Sequence, residues 1–279
     1  MILTINIENS IISVGGVEAA QEDAFKFEDK RQDAKKEPSC QVLFHGQIAA
    51  DTRKTMLDYA LHLKTIFEVY QVQPDAVEGS IISSVVPQLT PVLAQAVRIL
   101  TATHARIVGP GLKTGLSILI DNPAQLGSDL AAVSVGGAAL YGGPLILISM
   151  GTATTYCVLN EKKQYIGGII MPGMRVAMDG LTAAAAQLAS VSLEKPKKLI
   201  GTNTADCLRS GILYGTAAGI DGMISRICEE LGMQCRVVAL GAYAEQILPC
   251  CKSRIYLDKD LLMKGLYFIY ERNKSQKSA

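Results

Sequence analysis

The feature that most constrains this chain is an internal echo. LTINIENSIISVGG at 3–16 and LILISMGTATTYCVL at 145–159 follow one plan: an apolar strand, a tight polar or hydroxyl-rich turn, and a returning apolar strand. Alternation of this kind around a short turn is the signature of a β-hairpin. One copy in each half of the chain implies two related lobes, with a cleft expected between them. A turn rich in Gly and Thr presents backbone N–H groups and hydroxyls, a combination that suits phosphate. Such turns are also ordinary hairpin chemistry, so the echo by itself gives the architecture and only suggests the ligand.

The rest of the chain supplies helices between strands. Strands are expected at 41–48, 76–86, 105–108, 164–170 and 235–239. Helices are expected from Asp51, as cap, to Tyr70, and at 90–100, 125–141, 173–188, 203–232 and 258–273. Strand hairpins mixed with crossing helices give an α/β fold, mixed sheet flanked by helices. The charge-dense stretch at 18–39 (EAAQEDAFKFEDKRQDAKKEPS) is nearly free of aliphatics and reads as a solvated loop or frayed helix.

Composition closes off several functions. With 279 residues the chain has ample length for a buried core. A net charge of +1, with 49% hydrophobic and 19% charged residues, fits neither a disordered tail protein nor a polybasic nucleic-acid binder. The most apolar stretch, at 144–150, falls far short of the ~18 residues that span a bilayer. The opening MILTINIENS has no basic n-region and no small-residue cleavage site. A cytoplasmic protein that engages neither membrane nor nucleic acid is expected. Seven cysteines lack CxxC spacing and no His lies near any pair of them, which points to reduced thiols rather than a zinc site.

Several segments are more specific. SIISSVVPQLT (80–90), GPGLKTGLSILIDNPAQLGSDLAA (109–132), GTATTY (151–156), IGGIIMPGM (166–174), IGTNTADCLRSGILYG (200–215), GIDGMISRI (219–227) and KGLYFIYERN (264–273) occur in the order seen in type III pantothenate kinases. The chain resembles that family over most of its length; the main stretch without a match is 18–39.

The resemblance implies the acetate-and-sugar-kinase/Hsp70/actin type of fold: two ribonuclease-H-like lobes, here 1–117 and 118–279, enclosing ATP and pantothenate. It implies a homodimer, Mg²⁺, a monovalent cation (K⁺ or NH₄⁺), and phosphorylation of the pantothenate hydroxyl at the start of coenzyme A synthesis. The apolar, small-residue-rich helices at 173–188 and 203–232 place the dimer contact mainly on the second lobe. By motif position the general base is Asp129, in GSDL where the family usually has GADR; Gly127, Ser128 and Leu130 flank the acceptor. Phosphate falls to Asn6, Glu8, Asn9 and Ser10 of the first hairpin and to Gly151, Thr152, Thr154 and Thr155 of the second. Gly167 and Gly168, with Pro172 and Gly173, match the nucleotide-side loop. Thr204, in GTNT, matches a residue that meets pantothenate from across the dimer. Without the resemblance, Asp129 would be a helix-dipole acid and Thr204 a helix cap.

Departures from the family pattern fall on the chemistry. Where the family has DxGNT, this chain has Asn6-Ile7-Glu8-Asn9-Ser10. The Mg²⁺ carboxylate becomes an amide, and the glycine that lets phosphate approach becomes an anion. Ser149 stands at the Asp of the second hairpin, where the monovalent cation is held. Leu130 replaces the Arg that would take a substrate carboxylate. Two functions follow. One is a catalytically silent relative, with pantothenate turnover weak or absent and a binding or regulatory role beside a protein partner. The other is an active kinase, on pantothenate or on a related alcohol without an acidic group.

Overall fold

A computed structural model of the chain describes residues 1–20, 39–185, 187–188 and 190–274. In chain order the elements are β1 (Ile2–Ile7), β2 (Ile11–Ala19), β3 (Cys40–Ala49), α1 (Met56–Val69), β4 (Gly79–Ser84), α2 (Leu89–Thr101) and β5 (Ala105–Ile107). They continue with α3 (Ser128–Leu140), β6 (Leu145–Met150), β7 (Ala153–Leu159), β8 (Tyr165–Pro172), α4 (Met174–Ala184) and α5 (Thr204–Leu231). The last are β9 (Arg236–Leu240), α6 (Ala244–Ile247), β10 (Tyr256–Leu257) and α7 (Leu261–Arg272). β2 already accounts for Glu18 and Ala19 of the charged stretch; 21–38 lie outside the described residues. Thr55, not Asp51, caps α1, in a reciprocal box with Asp58. Asp51 is engaged instead by the backbone N–H and guanidinium of Arg53, at 3.0 Å each.

The strands form two five-stranded sheets, ordered β3-β2-β1-β4-β5 and β8-β7-β6-β9-β10. In each, the first three strands pair antiparallel and the last two join in parallel. This is ribonuclease-H-like order, written twice. The echoing hairpins occupy the same place in their own sheets: β1 and β6 are central, each between its hairpin partner and a parallel neighbour.

The chain divides into two compact units. The first gathers the described residues of Met1–Ser117, Asp121–Leu140 and Asp260–Ala279; the second gathers Ile118–Ile120 and Tyr141–Lys259. A single cut at 117/118 would assign 121–140 and 260–279 otherwise, and packing explains the difference. Alternation along β1 and β2 sends Leu3, Ile5, Ile7, Ile12 and Val14 to a face covered by Tyr59, Leu63 and Phe67 of α1 and Leu93 and Val97 of α2. The opposite face, with Ile2, Val17 and Ile81, is covered by Met263, Leu266, Ile269 and Tyr270 of α7 and by Ala132 and Val135 of α3. The two helices meet through their backbones. A Cβ on Gly265 would lie 1.9 Å from the Ala132 carbonyl oxygen, and one on Gly136 would lie 2.8 Å from that of Leu261. Only glycine permits that approach.

The second unit builds its core between Ile146, Ile148 and Met150 of β6, Val237 and Ala239 of β9, Met174 of α4, and Leu213, Ala217, Ile220 and Ile224 of α5. Asn203 caps α5 through the Asp206 N–H at 2.9 Å, and left-handed Gly232 ends it. Asp221, on α5, accepts the N–H groups of Lys252 and Ser253 at 2.8 Å each and so ties the helix to the segment before β10.

Candidate functional site

In the first unit the candidate residues converge at the C-terminal end of β1. Position 6 faces the α3 and α7 side by strand alternation, as Thr4 does; Thr4 donates to Met263 Sδ at 3.1 Å. Asn6 pairs in register with Ser83 of β4 and Ser13 of β2. Its Nδ2 donates to Glu8 Oε1 at 3.1 Å. Its Oδ1, on a side chain only 1% exposed, has no hydrogen-bond partner among the described residues. Glu8 is half-buried and opens the turn, its N–H donating to the Ile11 carbonyl at 2.9 Å. Asn9 and Ser10 are exposed.

Asp129 reaches this region through α3. Ser128, the first residue of that helix, is fixed to the end of β4 by three contacts. It accepts from the Ser84 N–H at 3.1 Å, accepts from Ser83 Oγ at 2.9 Å, and donates to the Ser84 carbonyl at 3.1 Å. Ser83 in turn sits beside Asn6 in the sheet. The first turn of α3 is thereby placed next to Asn6 and Glu8. The electrostatics agree: burial, then repulsion from Asp129, raises the Glu8 carboxyl above its ordinary value, while the Asn6 hydrogen bond opposes the rise. Gly127 lies under Asp129, since a Cβ there would be 2.6 Å from Asp129 Oδ1. Leu130 is half-buried beside it.

In the second unit, Ser149 sits one residue before the end of β6 and pairs in register with Thr155 of β7. Gly151 opens the turn and donates to the Ala153 carbonyl at 3.0 Å; a Cβ there would meet its nearest atom only at 3.9 Å. Thr152 is exposed and Thr154 buried, while Thr155 Oγ1 is a second buried oxygen without a partner among the described residues. Gly173 closes under this turn: its N–H donates to the Thr152 carbonyl at 3.0 Å, and a Cβ would fall 2.2 Å from the Gly151 oxygen. Gly241, in the left-handed region at φ +103°, is pressed against Met150, with a would-be Cβ 2.5 Å from its carbonyl oxygen. Gly167 is open on its Cβ side, whereas Gly168 packs against the Tyr156 carbonyl and Tyr165 hydroxyl. Thr204 is exposed on the first turn of α5.

The structure therefore gathers Asn6, Glu8, Ser128 and Asp129 in the first unit. It gathers Ser149, Gly151, Thr152, Thr154 and Thr155 on the second hairpin, and leaves Thr204 on a separate element of its unit. Sequence reasoning assigned no role to Ser83 and Ser84. A polar pair ending the otherwise apolar run SIISS was the available signal. Among the described residues no group of three or more His, Cys, Asp or Glu side chains is placed to hold a metal, and no helix is long and apolar enough to cross a membrane.

Two ribonuclease-H-like sheets, each entered through a hairpin, define the class of the acetate and sugar kinases, Hsp70 and actin. A solved structure described as a Baf family transcriptional activator from Campylobacter jejuni shares the fold with a TM-score of 0.57 at 14% identity, over 98% of each chain. The family model for type III pantothenate kinase matches residues 2–226. The type III pantothenate kinase of Halalkalibacterium halodurans is 38% identical over 232 residues, 83% of this chain and 91% of that protein. That of an Exiguobacterium species is 39% identical over 233 residues, 84% and 91% respectively. The chain belongs to the type III pantothenate kinase family.

Proposed function

We propose that this chain is a family member in which ATP-dependent phosphorylation of pantothenate is weak or absent. Asp129 stands at the general-base position, and Gly151, Thr152, Thr154 and Thr155 at the phosphate positions, with Gly167 and Gly168 on the nucleotide side. The observation that carries the reading is Glu8, a half-buried carboxylate fastened by the Asn6 amide at 3.1 Å in the turn. An anion at the position where the family's hairpin receives phosphate repels a triphosphate by a few kcal/mol per charge pair at an effective dielectric of about 20. Leu130 removes the cationic partner of a substrate carboxylate, a loss of about 2–5 kcal/mol when such a contact is buried. Each ~1.4 kcal/mol is about tenfold in rate.

Mg²⁺ is the family's ion. The fit here rests on donor chemistry: Asn6 contributes a buried carbonyl oxygen without a partner, and the carboxylate lies two residues further on. Ser149 brings a neutral hydroxyl where the family places a carboxylate for K⁺ or NH₄⁺, which weakens that ion. A homodimer built through the second unit is supported by Ile170, Leu199 and Ile200, exposed to 76%, 63% and 81%. A cytoplasmic location and a role beside a regulatory protein partner complete the reading.

A second reading, an active kinase on an alcohol without a carboxylate, draws on retained Asp129 beside half-buried Leu130. The test is product formation from ATP, Mg²⁺ and pantothenate, beside a panel of non-acidic alcohols. Pantothenate turnover equal to that of a relative with intact DxG, GADR and DxGTATT motifs would overturn the main reading. Turnover on a neutral alcohol alone would select the second.

A further inference from the structure

We infer that Asn6, Glu8 and Asp129 form a divalent-cation site that fills without nucleotide, the carboxylate ligand having moved from position 6 to position 8. The inference rests on the reading of the first hairpin as this family's metal-bearing hairpin and not on weak turnover, since an ion held by Glu8 relieves the repulsion that the bare carboxylate sets against phosphate; it adds an ion set peculiar to this chain. Three features converge. Asp129 follows Ser128, whose hydroxyl is bonded to Ser83 and Ser84 at the end of the strand that pairs with Asn6, so its carboxylate starts from the same end of the sheet as Glu8. Asn6, 1% exposed, has an Oδ1 with no partner among the described residues. Its other amide atom, Nδ2, donates to Glu8 Oε1 at 3.1 Å, which sets the carboxamide beside the Glu8 carboxylate.

A buried carbonyl without a partner is costly, and so are two facing anions. One hard cation offsets both, because it draws oxygen ligands together and supplies the missing positive charge. Two carboxylates and one amide oxygen, with water completing the shell, match the way Mg²⁺ is held by few protein ligands. No sulfur or imidazole lies among the three, so the oxygen set selects Mg²⁺ or Mn²⁺ over softer ions.

The positions are held from both sides. Asn6 is fixed within the sheet between Ser13 and Ser83. Asp129 is held by the Ser128 anchor, whose contacts of 2.9–3.1 Å tie the start of α3 to the end of β4. Glu8 is held by the Asn6 amide. Moving the carboxylate two residues along keeps it on the same hairpin, because Glu8 opens the turn that position 6 leads into.

The test uses Mn²⁺ as probe and the full chain without ATP or acceptor, counting free Mn²⁺ by electron paramagnetic resonance. One Mn²⁺ per chain is expected, displaced by Mg²⁺. Glu8→Gln and Asp129→Asn should each weaken it at least tenfold, and Glu8→Asp should restore part of the loss. In the wild-type chain, Mn²⁺ should broaden the Asn6 side-chain amide resonance before other side-chain amides, a readout that does not depend on any variant folding. Absence of wild-type binding, binding unmoved by Glu8→Gln in a folded variant, or broadening elsewhere first would overturn the site. Product formation is separate. A chain that binds Mn²⁺ through Glu8 and also turns over pantothenate sinks the weak-turnover reading and leaves the ion site. A chain that does neither sinks only the ion site.

Discussion

The two hairpin turns occupy the same place in two sheets of the same strand order, and they are built from opposite materials. Between β1 and β2 the chain passes from Ile7 to Ile12; between β6 and β7 it passes from Met150 to Thr154, one residue fewer. The first turn opens on a half-buried carboxylate clamped by an amide. The second opens on Gly151 with free space over its Cα and carries only hydroxyls. The crossings beneath them differ as well. Val85 donates to the Ile7 carbonyl at 3.0 Å with ordinary geometry, while the corresponding link, from the Tyr243 N–H to Met150 at 3.3 Å, passes through left-handed Gly241. Repeating a topology reproduces hydrogen-bond ladders and apolar faces. It does not reproduce charge, which each turn sets through a few side chains.

The contrast is most open to attack at Gly241. Gly241→Ala should cost about 3 kcal/mol or more, because a Cβ would lie 2.5–2.8 Å from the Met150 backbone at a φ of +103°. Val85→Ala should cost under about 1 kcal/mol, since Val85 is 40% exposed. Urea unfolding of both variants decides whether only the second crossing depends on its residue.

Converting the first turn toward the second is the next largest effect. Asn6→Asp with Glu8→Gly should strengthen Mg-ATP binding by on the order of a hundredfold, as removal of one close like-charge pair implies. Calorimetry that finds unchanged affinity would mean that charge in this turn is not what separates the hairpins.

Two hydroxyls sharpen the comparison further. Ser128→Ala removes three contacts at the first turn's support and should cost about 1–3 kcal/mol in thermal melts. Thr155→Val, at the second hairpin, removes an oxygen that has no partner among the described residues and should be neutral or mildly stabilising. Equal losses would contradict the assignment of support to one and not the other.

The smallest effect is read against pH. Burial works against the charge of Asp221, but the N–H groups of Lys252 and Ser253 and the Ser253 hydroxyl hold its carboxyl below the ordinary 3.8. A lowered folded-state pKa gives stability that is present above 3.8 and lost as pH falls through the folded value. Asp221→Ala should therefore cost about 1 kcal/mol at pH 7, after allowance for solvent screening. The gap to wild type should narrow in acid. A gap that widens in acid would reverse the sign argued here.

Much of this was legible in the residues. The hairpins, the helix-strand alternation and the α/β class follow from periodicity, because one face of each strand and helix has to be apolar. α1 was legible, but its cap was not. Asp51 and Thr55 are both competent, and the side-chain pairing of Asp51 with Arg53 decides between them. α6 and β10 are too short to carry a period. The grouping of α3 and α7 with the first sheet was hidden, since α3 meets β4 across more than forty positions and α7 meets both α3 and β1 across more than a hundred. At the site, Asn6, Glu8 and Asp129 were marked by motif position. Their mutual geometry depends on Ser83, Ser84 and Ser128, and a serine looks alike in sequence whether it anchors a helix or faces water.

The packing of α7 has a consequence for biosynthesis. The sheet of the first unit is laid down by residues up to Ile107, yet the helix that covers Ile2, Val17 and Ile81 begins only at Leu261. A nascent chain that has already delivered every strand of this sheet still presents one face without its α7 cover. Completion waits until α7 leaves the ribosome, which makes this unit a long-range, slow-closing structure despite its early strands. During that interval the waiting face is the place where a chaperone would be expected to bind.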